Sequence, residues 1–254
     1  MITRTLLTRI CDSNQLAATQ KAISSALEGL VVEIKFEWVL ANRWVQVSFS
    51  GEDEGVASNY VSKEVGFSPS NFEDVKRFTT QKGYIANLDK NKEELQLDLG
   101  IFQPKIVFAT VPLRRLQAQL ADGRKIAFNK IAELYGFCDG LPLDIKIVEI
   151  DEETNSLEAE LSAEQVVKYG FWQESLLDRL IVIGSSLYDV KKILNRDGLT
   201  RDVTNIETLG MFEHVLTCKL GTDAAGLIPK IGRCLKKARF AVFNPRRLRE
   251  FLAV

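Results

Sequence analysis

Apolar and polar residues change their spacing several times along the chain, and each change predicts an element. Residues 3–10 read as a first strand. Leu16, Ile23, Leu27 and Leu30 then recur at helical spacing, with Asp12 or Ser13 placed to cap a helix that stops near Gly29. Val32, Ile34, Phe36 and Trp38 alternate with polar residues, as do Val45, Val47 and Phe49, so Ala41, Asn42 and Arg43 read as the turn of a hairpin. Val56, Tyr60, Val61 and Val65 predict a second short helix. Residues 78–88 and 95–101 predict a further hairpin through Asp89, Lys90, Asn91 and Lys92. This β-α-β-β-α-β-β order predicts an N-terminal domain over 1–101, a ferredoxin-like α/β sandwich.

The pattern differs over 102–165. Ile106, Phe108 and Leu113 open a strand-rich stretch, Asp122-Gly123 is a turn signal, and 129–136 reads as a short helix. Leu143, Ile145 and Ile147 alternate, and the phase slips at Val148 and Ile150 as at a β-bulge. Leu157, Ala159 and Leu161 oppose Glu158 and Glu160. Five short strands and one helix predict a small OB barrel. Over 166–254 the expected order is β-α-β-β-α-β-α, a second ferredoxin-like sandwich. Its strands lie at 180–184, 202–209, 211–220 and 239–244. Ser185 or Ser186 caps a helix carrying Leu187, Val190 and Leu194, another helix starts from about Pro229, and Pro245 opens the last. The fold class is therefore α+β, multi-domain, in three modules.

Two resemblances follow. Residues 105–134, with Cys138-Asp139-Gly140 and the run Asp144-Ile145-Lys146-Ile147-Val148-Glu149-Ile150-Asp151, resemble the S1 RNA-binding family. That resemblance covers about sixty residues. It implies an OB barrel that stacks bases on aromatic side chains above a basic groove. Phe128 falls where the family places an aromatic on its third strand, whereas Leu116 and Gln117 stand where the second strand would carry one. The run 218–232, followed by Phe243-Asn244-Pro245, resembles an uncharacterised archaeal three-domain family. That family is of unknown function, so the likeness implies no activity.

Composition narrows the chemistry. The 254 residues are 46% hydrophobic and 26% charged, ordinary for a globular chain. With 33 basic and 34 acidic residues the net charge is −1, so attraction to a polyanion must come from local clustering. No apolar run reaches the length of a membrane span, and the first residues lack the apolar core of a signal peptide. The cysteines at 11, 138, 218 and 234 form no metal-ligand spacing and read as free thiols in a reducing compartment, so a cytoplasmic protein without cofactor or metal is expected. His214 is the sole histidine; on strand parity it reads as a half-buried residue rather than a catalytic one. No catalytic constellation is recognisable.

Two basic sets stand out. One is Lys105, Arg114, Arg115, Arg124, Lys125 and Lys130; the other is Lys230, Arg233, Lys236, Lys237, Arg239, Arg246, Arg247 and Arg249. Helical spacing from Pro229 would bring Arg233, Lys236 and Lys237 to adjoining parts of one surface. The expected function is non-catalytic nucleic-acid binding, most simply of RNA. Arg114, Arg115, Lys125, Phe128, Lys230, Arg233, Lys236 and Lys237 would be its contacts along one track. Two alternatives stand beside it. One is a protein–protein adaptor in a translation or transcription assembly, using the acidic barrel face. The other is a binder of a small phosphorylated ligand at the loop Gly221–Gly226, which lacks the ending of a P-loop.

Overall fold

In the computed structural model the described residues are 1–39, 43–90 and 92–253. The expected turn at Ala41 and Asn42, the loop residue Asn91 and the side chain of Trp38 lie outside the described positions. The chain forms two compact units: Met1–Val75 with Leu99–Val107, and Lys76–Asp98 with Phe108–Val254.

In the first unit, β1 (Ile2–Arg9), α1 (Ser13–Ala26), β2 (Glu33–Val39), β3 (Trp44–Ser50), α2 (Glu54–Glu64) and β4 (Phe67–Ser68) follow in order. Their sheet is antiparallel with strand order β2-β3-β1-β4. The Asp12 side chain accepts from the Gln15 N–H at 3.0 Å, which satisfies an orphan amide and starts α1. Val45, Val47 and Phe49 are fully buried, as their alternation requires, and Ile23 and Val61 close the core from the helices. Val56 and Tyr60, expected on the apolar face of α2, are exposed. Gly100 adopts φ +80°, and a Cβ there would lie 2.1 Å from Ser68 Oγ, so this close backbone approach requires glycine.

Next along the chain come β5 (Thr80–Ala86), β6 (Glu94–Ile101), β7 (Val107–Pro112), α3 (Leu113–Leu120), α4 (Phe128–Tyr135), β8 (Pro142–Asp151) and β9 (Ser156–Leu161), which apart from the end of β6 and Val107 belong to the second unit. The five strands close into a barrel in the order β5-β6-β7-β9-β8, with β7 and β9 parallel. Ile145, Ile147, Leu157, Ala159 and Leu161 fill it, and the register slips between Ile147 and Glu149 where the bulge was expected. Two corrections concern this barrel. The hairpin assigned to the N-terminal domain supplies its first two strands, so a boundary at 101/102 falls at the end of β6. The stretch read as strands after Ile106 becomes helical at Leu113, because Leu113, Leu116 and Leu120 carry a helical period. Phe128 is the first residue of α4, not a strand residue.

The unit continues with α5 (Ala163–Glu174), β10 (Arg179–Ile183), α6 (Leu187–Arg196), β11 (Val203–Thr208), β12 (Glu213–Cys218), α7 (Ala224–Gly232), β13 (Arg239–Phe243) and α8 (Pro245–Leu252). The strands form an antiparallel sheet, β11-β12-β10-β13. Strand alternation splits its side chains between two layers. Leu180, Val182, Leu216 and Cys218 pack with Val190 and Leu194 of α6 and Leu227 and Ile231 of α7. On the other face, Arg179, Ile181 and Phe243 meet α4 and α5. Phe243 packs 5.4 Å from the Trp172 ring, and Arg179 donates to the Trp172 carbonyl at 3.0 Å. Gly136 ends α4 at φ +67°, where a Cβ would lie 2.9 Å from Ile181 Cδ1. A helix starting at Pro229 is also corrected. Asp223 accepts from the Ala225 N–H at 3.0 Å and starts α7 at Ala224, leaving Pro229 inside it. Overall the fold is mixed α+β and multi-domain, a closed five-stranded barrel and two four-stranded sheets.

Candidate nucleic-acid interface

The sequence-predicted contacts do not form one track. Phe128 is 2% exposed in the core of α4, so its ring is not offered to a base. Arg115 is engaged by two carboxylates, its guanidinium lying 2.8 Å from Glu158 and 3.2 Å from Glu160. Arg114 is 76% exposed and 3.5 Å from Glu158. Those same pairs neutralise much of the acidic outer face of β9. Lys125 is exposed between α3 and α4. Lys230 lies on α7, and Arg233, Lys236 and Lys237 are exposed in the turns that follow it. This group follows the helix on the α6–α7 face of the C-terminal sheet, whereas α4 and α5 cover the opposite face.

A different set of cations is brought together. Asn244 caps α8 by accepting from the Arg247 N–H at 2.9 Å, and Pro245 occupies the first turn where a missing N–H costs nothing. Leu248 is fully buried, which turns Arg246, Arg247 and Arg249 outward. The helix packs on α4 and α5. Arg247 forms an ion pair with Glu133 of α4. Lys130 lies 3.0 Å from the same carboxylate and 5.2 Å over the Phe251 ring. Arg124 donates to the Leu252 carbonyl. The Lys130 hydrogen bond, with Arg247 adding to it, holds Glu133 below the usual carboxylate range. Arg124, Lys130, Arg247 and Arg249 thus gather where α8 meets α4, against Asp122 and Glu133, across more than a hundred residues of sequence, whereas Arg246 turns toward Asp178. All these arginines and lysines were visible in the sequence; their convergence was not, because no periodicity reports how α8 docks on α4.

A groove of about 460 Å³ opens beside this surface, lined by Gln119, Asp122, Tyr135, Tyr169, Gly170 and Arg249 among others.

At the loop Gly221–Gly226 a smaller pocket of about 210 Å³ is lined by Asp178, Lys219, Asp223, Asn244 and Arg246. The chain's own carboxylates take its amides: Ala224 N–H donates to Asp178 at 3.3 Å and Ala225 N–H to Asp223 at 3.0 Å. Burial raises the Asp178 carboxyl above its ordinary range. His214 is fully buried, with Nε2 3.0 Å from the Ser185 carbonyl oxygen. Burial pushes the Cys138 thiol up to about 12 and the Cys218 thiol up to about 11. Among the described residues, no group of His, Cys, Asp or Glu is placed to hold a metal ion, and no helix is long and apolar enough to cross a membrane.

The architecture and the α4–α8 surface define a multi-domain α+β protein with a closed barrel and a local basic face. Residues 177–243, from just before β10 to the end of β13, match the DUF2110 C-terminal domain. The run 218–232 that resembled an uncharacterised family lies inside that match. A comparison with curated proteins finds no match. Solved structures similar to parts of the chain include the uncharacterized protein MJ1198 from Methanocaldococcus jannaschii. That likeness has 10% identity and a TM-score of 0.25, covering 35% of this chain and 95% of that one. The intact alpha subunit of aIF2 from Pyrococcus abyssi matches at 9% identity and TM-score 0.27, covering 66% of this chain and 96% of that one. A chain in the a/eIF2alpha–aDim2p–rRNA complex from Pyrococcus horikoshii OT3 matches at 11% identity and TM-score 0.27, over 50% of this chain and 61% of that one.

Proposed function

We propose that the chain is a non-catalytic binder of single-stranded nucleic acid, RNA first, and that the α4–α8 surface is its principal contact. The observation that carries this reading is the convergence of Arg124, with Lys125 next to it in the chain, and Lys130 on Arg247 and Arg249. Clustered cations gain affinity for phosphates by releasing condensed counterions, even on a chain of near-zero net charge. Arg114 stands exposed beside Glu158 of β9, and Lys230, Arg233, Lys236 and Lys237 supply a second basic patch on the α6–α7 side. The strand orders support the finer fold assignment. Each four-stranded sheet reads 4-1-3-2 within its own module, the ferredoxin-like order, and the barrel reads 1-2-3-5-4, the OB order of S1-like domains. The match of residues 177–243 to the DUF2110 C-terminal domain supports placing the whole chain in the uncharacterised archaeal family. A buried histidine and two thiols of raised pKa support a chain without catalysis, because none of them is a ready base or nucleophile. The carboxylates at the Gly221–Gly226 loop weigh against a phosphorylated ligand there.

Photo-crosslinking of single-stranded RNA containing 4-thiouridine, followed by peptide mapping, tests the assignment. Cross-links are expected in peptides spanning 122–135 and 245–253. Cross-links confined to 224–237 would move the interface to the other patch, and none at all would overturn the reading.

A protein partner is the second reading. Val167 and Phe171, one turn apart on α5, are 56% and 65% exposed. Such a stripe suits an apolar docking partner. A partner protein retained after nuclease treatment, and lost from Phe171→Asp, would favour it.

A further inference from the structure

We propose that the groove between α3, α5 and α8 receives one nucleobase of the bound strand. This rests on the nucleic-acid reading above and deepens it. The groove's volume of about 460 Å³ lies in the range of sites that hold small molecules, about 300–1,000 Å³. Its walls are fixed before any ligand arrives. Gln119 donates to the Leu161 carbonyl at 2.8 Å and accepts from the Leu161 N–H at 3.0 Å, and the Tyr135 hydroxyl donates to the Leu120 carbonyl at 2.5 Å. Tyr135 and Tyr169 form an aromatic floor, their rings 5.1 Å apart and edge to face.

Other lining groups are unspent. The side chains of Asp122, Gln173 and Arg249 have no hydrogen-bond or ion-pair partner among the described residues, and neither has the hydroxyl of Tyr169, which is 2% exposed. Together they offer an anionic acceptor, an amide that both donates and accepts, a cationic donor and a phenol. A bare phosphate would be repelled by Asp122, and an apolar ligand would strip water from all four groups without return. A flat heterocycle with N–H donors on one edge and acceptors beside them meets each of them. Asp122 suits a base with an exocyclic amino group, as a carboxylate accepts from cytosine N4. The cations outside the groove are Arg124 and Lys130, placed for the phosphates that flank such a base. The bound species is thus a nucleotide of the strand, with its base inside and its backbone on the α4–α8 surface.

Gly170 provides the test. It lines the groove from α5, and a Cβ added there meets nothing within 4 Å. Gly170→Leu therefore fills the groove and replaces a poor helix former with a good one. The full chain and this variant are titrated with ten-nucleotide oligo(C) and oligo(U) by fluorescence anisotropy, alongside a thermal melt. Gly170→Leu is expected to weaken oligo(C) binding about tenfold, the loss of one recognised base, without lowering Tm. Asp122→Asn is expected to erase the preference of the native chain for oligo(C) over oligo(U). Native affinity in a stable Gly170→Leu would overturn the groove, as would equal affinity of the native chain for both oligomers. If the groove fails while Arg124→Glu with Lys130→Glu still weakens both oligomers, the surface reading stands and only the base site is lost. If the native chain binds neither oligomer, both fall together.

Discussion

His214 lies fully buried on β12, and its Nδ1 has no partner among the described residues. Burial holds the imidazole below its ordinary value of 6.5, and the hydrogen bond to Ser185 opposes that only in part. The unfolded chain therefore takes up the proton first as pH falls. The stability linked to this group is complete above about 6.5 and is lost as pH drops through that value toward the lower folded one. Because His214 is the only histidine, the effect can be isolated. Urea midpoints of the native chain are expected to fall between about pH 8 and pH 5 more steeply than those of His214→Asn. Identical slopes would contradict the assignment. Strand parity puts His214 half-buried beside Phe212, Leu216, Cys218 and Leu220; the first three are buried and the histidine fully so, whereas Leu220, past the end of β12, is exposed. Phe128 was not legible in the same way. An aromatic near a turn suits a strand surface or a helix start equally, and only the packing of α4 decides between them. Its burial removes it from base stacking and makes it a core residue.

At the level of elements, three of the helices with side-chain caps are readable from sequence, whereas α5, capped by Ser162, is not anticipated. Asp12, Ser186 and Asn244 each cap the helix expected to follow. The miss at α7 has a local cause. Pro229 fits a first helical position, but Asp223 already supplies a cap six residues earlier, and the helix runs through the proline. As a result Arg233, Lys236 and Lys237 lie beyond the helix rather than on one of its faces. Asp223→Ala is expected to lower the unfolding free energy by about 1 kcal/mol, the usual value of a lost N-cap, read from chemical denaturation. No loss would mean that Asp178, which accepts from Ala224, carries the cap alone. The S1-like segment erred in the opposite direction. Its alternation over 143–161 gives the strands and the bulge, whereas Leu113, Leu116 and Leu120 carry a helical period that the expected strand after Ile106 does not reflect. Apolar runs this short carry both periods, and the first barrel strands, β5 and β6, lie earlier in the chain than the S1-like alternation suggests.

For the whole molecule, the sequence predicts three modules in line; by contact the chain forms two compact units, the larger holding most of the barrel and the C-terminal sheet. Element order could be read locally; the packing of α4 and α5 on the sheet face of Ile181 and Phe243 could not, because those residues read only as buried strand. That packing decides the function proposed. It puts a layer of sheet between the α7 helix and the α4–α8 surface, and it gathers cations from two distant segments onto the latter. A net charge of −1 conceals this arrangement. The most direct test is the salt dependence of RNA affinity for the full chain and for Arg124→Glu/Lys130→Glu/Arg249→Glu. Each lost phosphate contact should reduce the slope of log affinity against log salt by about 0.7, so the triple variant is expected to bind more weakly with a slope shallower by about 2. An unchanged affinity and slope in that variant, while Arg233→Glu/Lys236→Glu/Lys237→Glu abolishes binding, would contradict the account.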